Sequence, residues 1–160
     1  MNFSKLLYGI ILTILPVTEL RIGMPLAISY GIENNIPLFL IFLLIVLINI
    51  ITVFFIFFLL DSVHSRLLYF NAYKKGFDFY LKRLQKRIDK FKERYNKLGF
   101  LALIFLVCIP LPGTGAWTGS MVSWVLGLNR KKSILAISIG VIIAGILVFF
   151  GTLGFIHLFY

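Results

Sequence analysis

The stretch GFLALIFLVCIPLPGTGAWTGSMVSWVLGL, Gly99–Leu128, is apolar in both halves and interrupted in its middle by Pro110, Pro112, Gly113, Gly115 and Gly119. Its flanks are basic, with Lys97 before it and Arg130, Lys131 and Lys132 after it. Basic residues in short loops beside membrane segments mark the cytoplasmic side, so the chain has to leave the bilayer on the face it entered. Two complete crossings need about forty residues plus a turn, at about twenty per span, and only about thirty are present. The spacing therefore predicts a re-entrant hairpin at residues 99–129 with PLPGTGAWTG at its tip. Pro110 and Pro112 end the first arm, and the glycines permit a tight reversal. Backbone freed from helical bonding at membrane depth is tolerable only inside protein or against a watery cavity. The tip is expected to face something polar.

Composition agrees with a bilayer as solvent. At 160 residues, 60% hydrophobic residues and a mean hydropathy of +0.99, the chain has more apolar surface than a soluble domain of this size can hide. The net charge of +10 does not point to nucleic acid, because eleven of the sixteen Lys and Arg lie between Arg66 and Lys97, beside long apolar runs. Cys108 is the single cysteine, His64 and His157 stand apart, and no HExxH, CxxC or EF-hand spacing occurs. No metal site, cofactor or disulfide is expected. The membrane segments contain no nucleophile–base pair, so the chain is not expected to be an enzyme. Lys5 and LLYGIILTIL imitate a secretory signal, but no small-x-small site follows before Glu19, and cleavage is not expected.

Two runs are long enough to span a bilayer alone. Ile36–Leu60 has no formal charge over 25 residues, about 37 Å of helix against about 30 Å of hydrocarbon. Ser133–Phe159 is the second, with Gly140, Gly145, Gly151 and Gly154 available for close helix contact. Between the runs, residues 61–98 read as a basic amphipathic linker helix. Phe77, Leu81, Leu84, Ile88, Phe91, Tyr95 and Leu98 form a stripe in alternating steps of four and three, opposite a face dense in Lys and Arg. The aromatics and the positive charge suit a membrane surface, with Lys82, Arg83, Lys86 and Arg87 meeting anionic head groups. A coiled coil between protomers has the same heptad spacing.

The N-terminal third contains PVTELRIGMP, Pro16–Pro25, with an acid and a base two residues apart. Its first arm, Phe3–Leu15, is too short to span, and Pro16 stops it. Each charge near the bilayer centre costs about 2.5 to 3.5 kcal/mol, which roughly ten aliphatic residues at about 0.3 to 0.6 kcal/mol apiece barely offset. A hairpin at residues 1–35 that shields the charges inside the protein solves this better than a plain membrane helix. With Pro16 placed on Pro110, LLYGIILTILPVTELRIGMP aligns with GFLALIFLVCIPLPGTGAWTG, and each is followed by a break and a long span. The first hairpin enters from outside and the second from the cytoplasm. The expected fold is an all-α single membrane domain over residues 1–160, made of two inverted repeats of hairpin plus span. In that architecture, discontinuous helices meet near the midplane to form a transport site.

LPVTELRIGMPLAI near the N-terminus and IPLPGTGAWTGS after a basic linker resemble the small multidrug export family of short bacterial and archaeal membrane proteins, over essentially the whole chain. More distantly, the layout is similar to the DedA superfamily. That resemblance implies two opposed re-entrant hairpins and the movement of lipids, including polyprenyl phosphate carriers. Glu19 matches the acidic residue of the first hairpin in that superfamily. The second hairpin departs from it, because no arginine lies between Lys97 and Arg130 where a phenylalanine-arginine-proline element and a further arginine are usual.

The substrate-binding or coupling candidates are Glu19, Arg21, Pro25, Pro110, Pro112, Gly113, Thr114, Gly115, Trp117 and Thr118. An ionisable residue inside a membrane segment is a functional candidate by default. Glu19 would exchange a proton and Arg21 would receive an anionic group on its planar fork. Alternatively, the two neutralise each other or bond the freed backbone. Helix N–H groups restarting after PLPGTG offer an anion site, with the hydroxyls of Thr114, Thr118 and Ser120 beside it. Asn49 and Thr52 read as interhelical hydrogen-bonding groups, and Asp61 and His64 as a helix end at the cytoplasmic interface. The expected function is transport or export, with proton coupling as an option, of a small amphipathic or lipid-like substrate, anionic and polyprenyl-phosphate types included, across the plasma membrane by a multi-pass homodimer in contact with membrane lipids. The alternative is a membrane scaffold whose basic helix binds anionic lipid or a protein partner.

Overall fold

The computed structural model describes residues 3–67, 98–111 and 113–159. Within them the chain forms six helices: α1 Phe3–Ile14, α2 Glu19–Glu33, α3 Leu38–Leu67, α4 Leu98–Cys108, α5 Ala116–Val125 and α6 Arg130–Phe159. No strand occurs among the described residues. The linker stripe and the lipid-surface candidates Lys82, Arg83, Lys86 and Arg87 lie outside the described residues, as does Pro112.

Two helices are long and apolar enough to cross a membrane, Leu38–Val63 within α3 and Arg130–Leu158 within α6. The first begins two residues later than the apolar run, after Pro37, because proline suits the residue ahead of a helix and not its interior. Its helix also runs past Leu60 to Leu67, and α6 starts at Arg130 rather than Ser133. Charges at a helix end add no desolvation cost where they reach head groups, so the helices outrun their apolar cores. Only 39% and 33% of the apolar 18-residue stretches within these spans are buried in the protein. Phe39, Phe54, Phe55 and Phe58 on α3, and Phe150, Phe155 and Leu158 on α6, are exposed. Water would not tolerate such a surface, and lipid does.

α3 and α6 run antiparallel. Phe42 near the start of α3 meets Phe149 near the end of α6, ring edge to face at 5.4 Å, while Arg130 at the start of α6 lies over Phe57 late in α3. Gly145 admits Val46 here, and Gly140 receives Val107 of α4; Gly151 and Gly154 have open space. Against this pair pack two shorter antiparallel helix pairs. α1 and α2 close on each other where a Cβ on Gly9 would lie 2.9 Å from the Gly23 carbonyl oxygen, so both positions require glycine. α4 and α5 close where Val107 fills the surface of Gly119.

The open end of the α1–α2 pair lies at the start of α3, where Gly31 touches Leu38 and Ile41. The open end of the α4–α5 pair lies at the other end of α3, where Trp124 reaches Asp61. Their closed ends meet between. Asn49, 1% exposed near the middle of α3, donates to the Thr13 carbonyl at 3.3 Å. Thr52 instead returns its hydroxyl to Ile48 of its own helix, so the interhelical role expected of it goes to Asn49 alone.

Candidate functional site

The breaks at residues 15–18 and 109–115 leave helix ends without intrahelical partners, and the bonds that satisfy them define the site. Each helix ends with carbonyls that lack a helical donor. At the end of α1, Thr18 Oγ1 donates to Leu12, Asn49 Nδ2 to Thr13, and the Trp117 indole Nε1 to Ile14 at 3.0 Å. The next carbonyl, Leu15, accepts from the Glu19 N–H at 3.1 Å. Trp117 belongs to the second pair, so one tip completes the other.

Glu19 completes the exchange. Its carboxylate accepts the N–H of Ala116 at 3.3 Å and of Trp117 at 3.1 Å, the first N–H groups of α5. A negative group at a helix N-terminus meets both free donors and the positive end of the helix dipole. The helix start after PLPGTG, where an anion was expected, is occupied by the chain's own carboxylate. Glu19 is 3% exposed and sits at φ 46, in the left-handed region that disfavours a side chain. Gly115, at φ 120, presents no Cβ, and any Cβ there would overlap the Glu19 carboxylate.

Arg21 turns to the other broken end. Its guanidinium donates to the Leu111 and Thr114 carbonyls and, at 2.8 Å, to Thr114 Oγ1. The Thr114 hydroxyl also lies 2.8 Å from the Ile109 and Leu111 carbonyl oxygens, and Thr118 Oγ1 donates to Gly113 at 2.9 Å. Both threonine hydroxyls thus stabilise their own loop. Among the described residues the ion pairs are Lys5–Glu33 and Arg130–Asp61, and Glu19 and Arg21 do not pair directly. Each holds the backbone of the opposite tip.

Glu19, Arg21, Thr114, Gly115 and Trp117 are brought together, with Thr118 and Gly113 on the outer side of the turn. Pro110 ends α4 beside them, whereas Pro25 lies inside α2, a turn beyond Arg21. Two participants carry no signal of their own in the sequence, the backbone carbonyls of Ile14 and Leu111, whereas Asn49 makes the interhelical hydrogen bond expected of it. The break at Pro16 and the break at Pro110 mark where free carbonyls must occur, but not which donor finds them. A second polar cluster was also missed. Asp61 accepts the Trp124 indole at 3.0 Å and pairs with Arg130, tying the ends of α3 and α5 to the start of α6.

Over the described residues, two long, antiparallel, outwardly apolar helices carry two short pairs joined tip to tip, an all-helical arrangement with the apolar surface of a membrane protein. The profile of the family described as "Putative small multi-drug export protein" matches residues 19–147, and the chain belongs to this family. Comparison with curated proteins and with solved structures gives no match.

Proposed function

We propose that the chain is an exporter of the plasma membrane, crossing it at α3 and α6, in which α1–α2 and α4–α5 are opposed re-entrant hairpins related as inverted repeats. One observation carries this reading: the charged residues of the first tip end on the broken backbone of the second, beside the middle of the α3 span. Bonds of that kind shut a membrane without covalent continuity, and they can be exchanged for others. The joined tips are the gate. Opening it exposes a helix N-terminus suited to an anion and an arginine fork suited to carbonyls or phosphate. The substrate is accordingly small and amphipathic or lipid-like, with a polar group that competes for these partners.

Protonation of Glu19 converts an anionic acceptor into a weaker neutral one and loosens its hold on α5. A proton is therefore the natural trigger for opening. The protein catalyses no covalent step and uses no cofactor, its partners are lipid and substrate rather than nucleic acid, and it works as a homodimer, because two spans per chain make a thin wall for a cavity. The test is reconstitution of the full chain in liposomes with a fluorescent anionic lipid on one leaflet and a cationic drug in the lumen, with and without a pH gradient. Movement of either, accelerated by the gradient, supports proton-driven export; movement of neither under any gradient contradicts it.

A further inference from the structure

Among the described residues, three buried side-chain atoms have no hydrogen-bond partner: Asn49 Oδ1, Ser120 Oγ and Ser123 Oγ. Such atoms are normally satisfied, and the exceptions point to function or to water that enters in another state. The two serines are the sharper case. Thr13, Thr52, Ser62 and Thr152 each return the hydroxyl to the carbonyl four residues back, at 2.7 or 2.8 Å. Ser120 and Ser123, 0% and 1% exposed, do not.

Both serines lie on the buried face of α5 with Ala116 and Gly119, at the i, i+3, i+4, i+7 spacing of one helical stripe. The stripe starts at the N–H groups that hold Glu19 and ends beside Trp124, which holds Asp61. About 12 Å of helix separates Ala116 from Trp124 at 1.5 Å per residue. Ser120 and Ser123 fall inside that interval, and Val107 and Ile137 close it at Gly119.

We propose that Ser120 and Ser123 are the polar stations of a path, filled by water when the hairpin loosens, that carries protons along the buried face of α5 between Asp61 and Glu19. The path rests on the reading of Glu19 as the coupling carboxyl. A proton arriving at the Asp61 end passes from water to water; each hydroxyl takes one on its lone pair as it releases its own to the next water. The serines are left unchanged and Glu19 ends as the neutral acid. The charged groups that face this route are Glu19 and Arg21 from α2, Asp61 from α3, and Arg130 from α6 with Lys131 and Lys132 beyond it. Within Leu98–Cys108, α4 adds only the Cys108 thiol.

The test uses the full chain in proteoliposomes. Ser120→Cys and Ser123→Cys, each in a Cys108→Ser background, are treated with a charged, membrane-impermeant methanethiosulfonate. Both should be modified from the side that carries Lys131 and Lys132, while Met121→Cys on the exposed face of α5 should not. The double variant Ser120→Ala, Ser123→Ala should keep wild-type thermal stability, since it removes unpaired hydroxyls, yet lose gradient-driven export at least about tenfold. Cysteines that stay unmodified, or a double variant with the wild-type gradient-driven rate, overturn the path. A wild-type chain with no gradient-driven export overturns the coupling role of Glu19 and the path with it, and this is seen before any serine is changed.

Discussion

Glu19 adopts a left-handed backbone that costs a side-chain-bearing residue about 1 to 2 kcal/mol, and its carboxylate is taken out of solvent. Two N–H groups at a helix start offset this, because hydrogen bonds to a charged group contribute about 1.5 to 3 kcal/mol each. Glu19→Gln keeps the size and loses the charge, and it turns an amide NH2 toward donors. It should lower unfolding stability in detergent by about 1 to 3 kcal/mol, read as a fall in melting temperature. A variant as stable as wild type would mean that the bonds to α5 contribute nothing. Arg21→Lys tests the other half, since a lysine has no planar fork to span Leu111 and Thr114. Gly115 and Gly113 form an internal control. Both have positive φ, but a Cβ at Gly113 meets open space and one at Gly115 meets Glu19. Gly113→Ala should cost about 1 kcal/mol of backbone strain, whereas Gly115→Ala should cost several times more and displace the carboxylate. Equal melting temperatures for the two would contradict the contact.

The two long helices and the breaks after Pro16 and Pro110 were legible from hydropathy, proline and glycine alone, because each of these signals acts locally. That Glu19 and Arg21 bond freed backbone was one of the alternatives the sequence offered, but which backbone groups they reach was not legible. Those backbone atoms are 90 or more residues away in the chain, and any free N–H or carbonyl would have satisfied the same pattern. Trp124 illustrates the same limit: an indole in an apolar helix reads as packing until Asp61 is found beside it. Small residues divide cleanly at this scale. A Cβ at Gly23 would collide with Thr13 and with the Gly9 carbonyl, whereas one at Gly151 touches nothing within 4 Å. Gly23→Ala should therefore part α1 from α2 and sharply reduce yield of folded protein, while Gly151→Ala leaves the unfolding free energy within about 0.5 kcal/mol of wild type. Monodispersity in size-exclusion chromatography and thermal unfolding measure both.

For the whole molecule, the basic flanks of Gly99–Leu128 argue that this segment leaves the membrane where it entered. Cysteines placed near Lys97 and near Lys131 should both react with an impermeant reagent from the same side; reaction from opposite sides would make the segment a crossing. The question raised by an acid and a base in an apolar third has a structural answer at this scale. Glu19 and Arg21 form no direct ion pair; each bonds the backbone at the tip of the other short helix pair. Whether that junction is a gate is tested most directly by comparing export in proteoliposomes across two sets of substitutions, with equal amounts of folded protein inserted. Glu19→Gln and Arg21→Gln should abolish gradient-driven export, whereas neutralising Lys82, Arg83, Lys86 and Arg87 should leave it standing. Full export by the Glu19 and Arg21 variants, with loss on neutralising the four basic residues, would contradict the gate and favour a membrane scaffold.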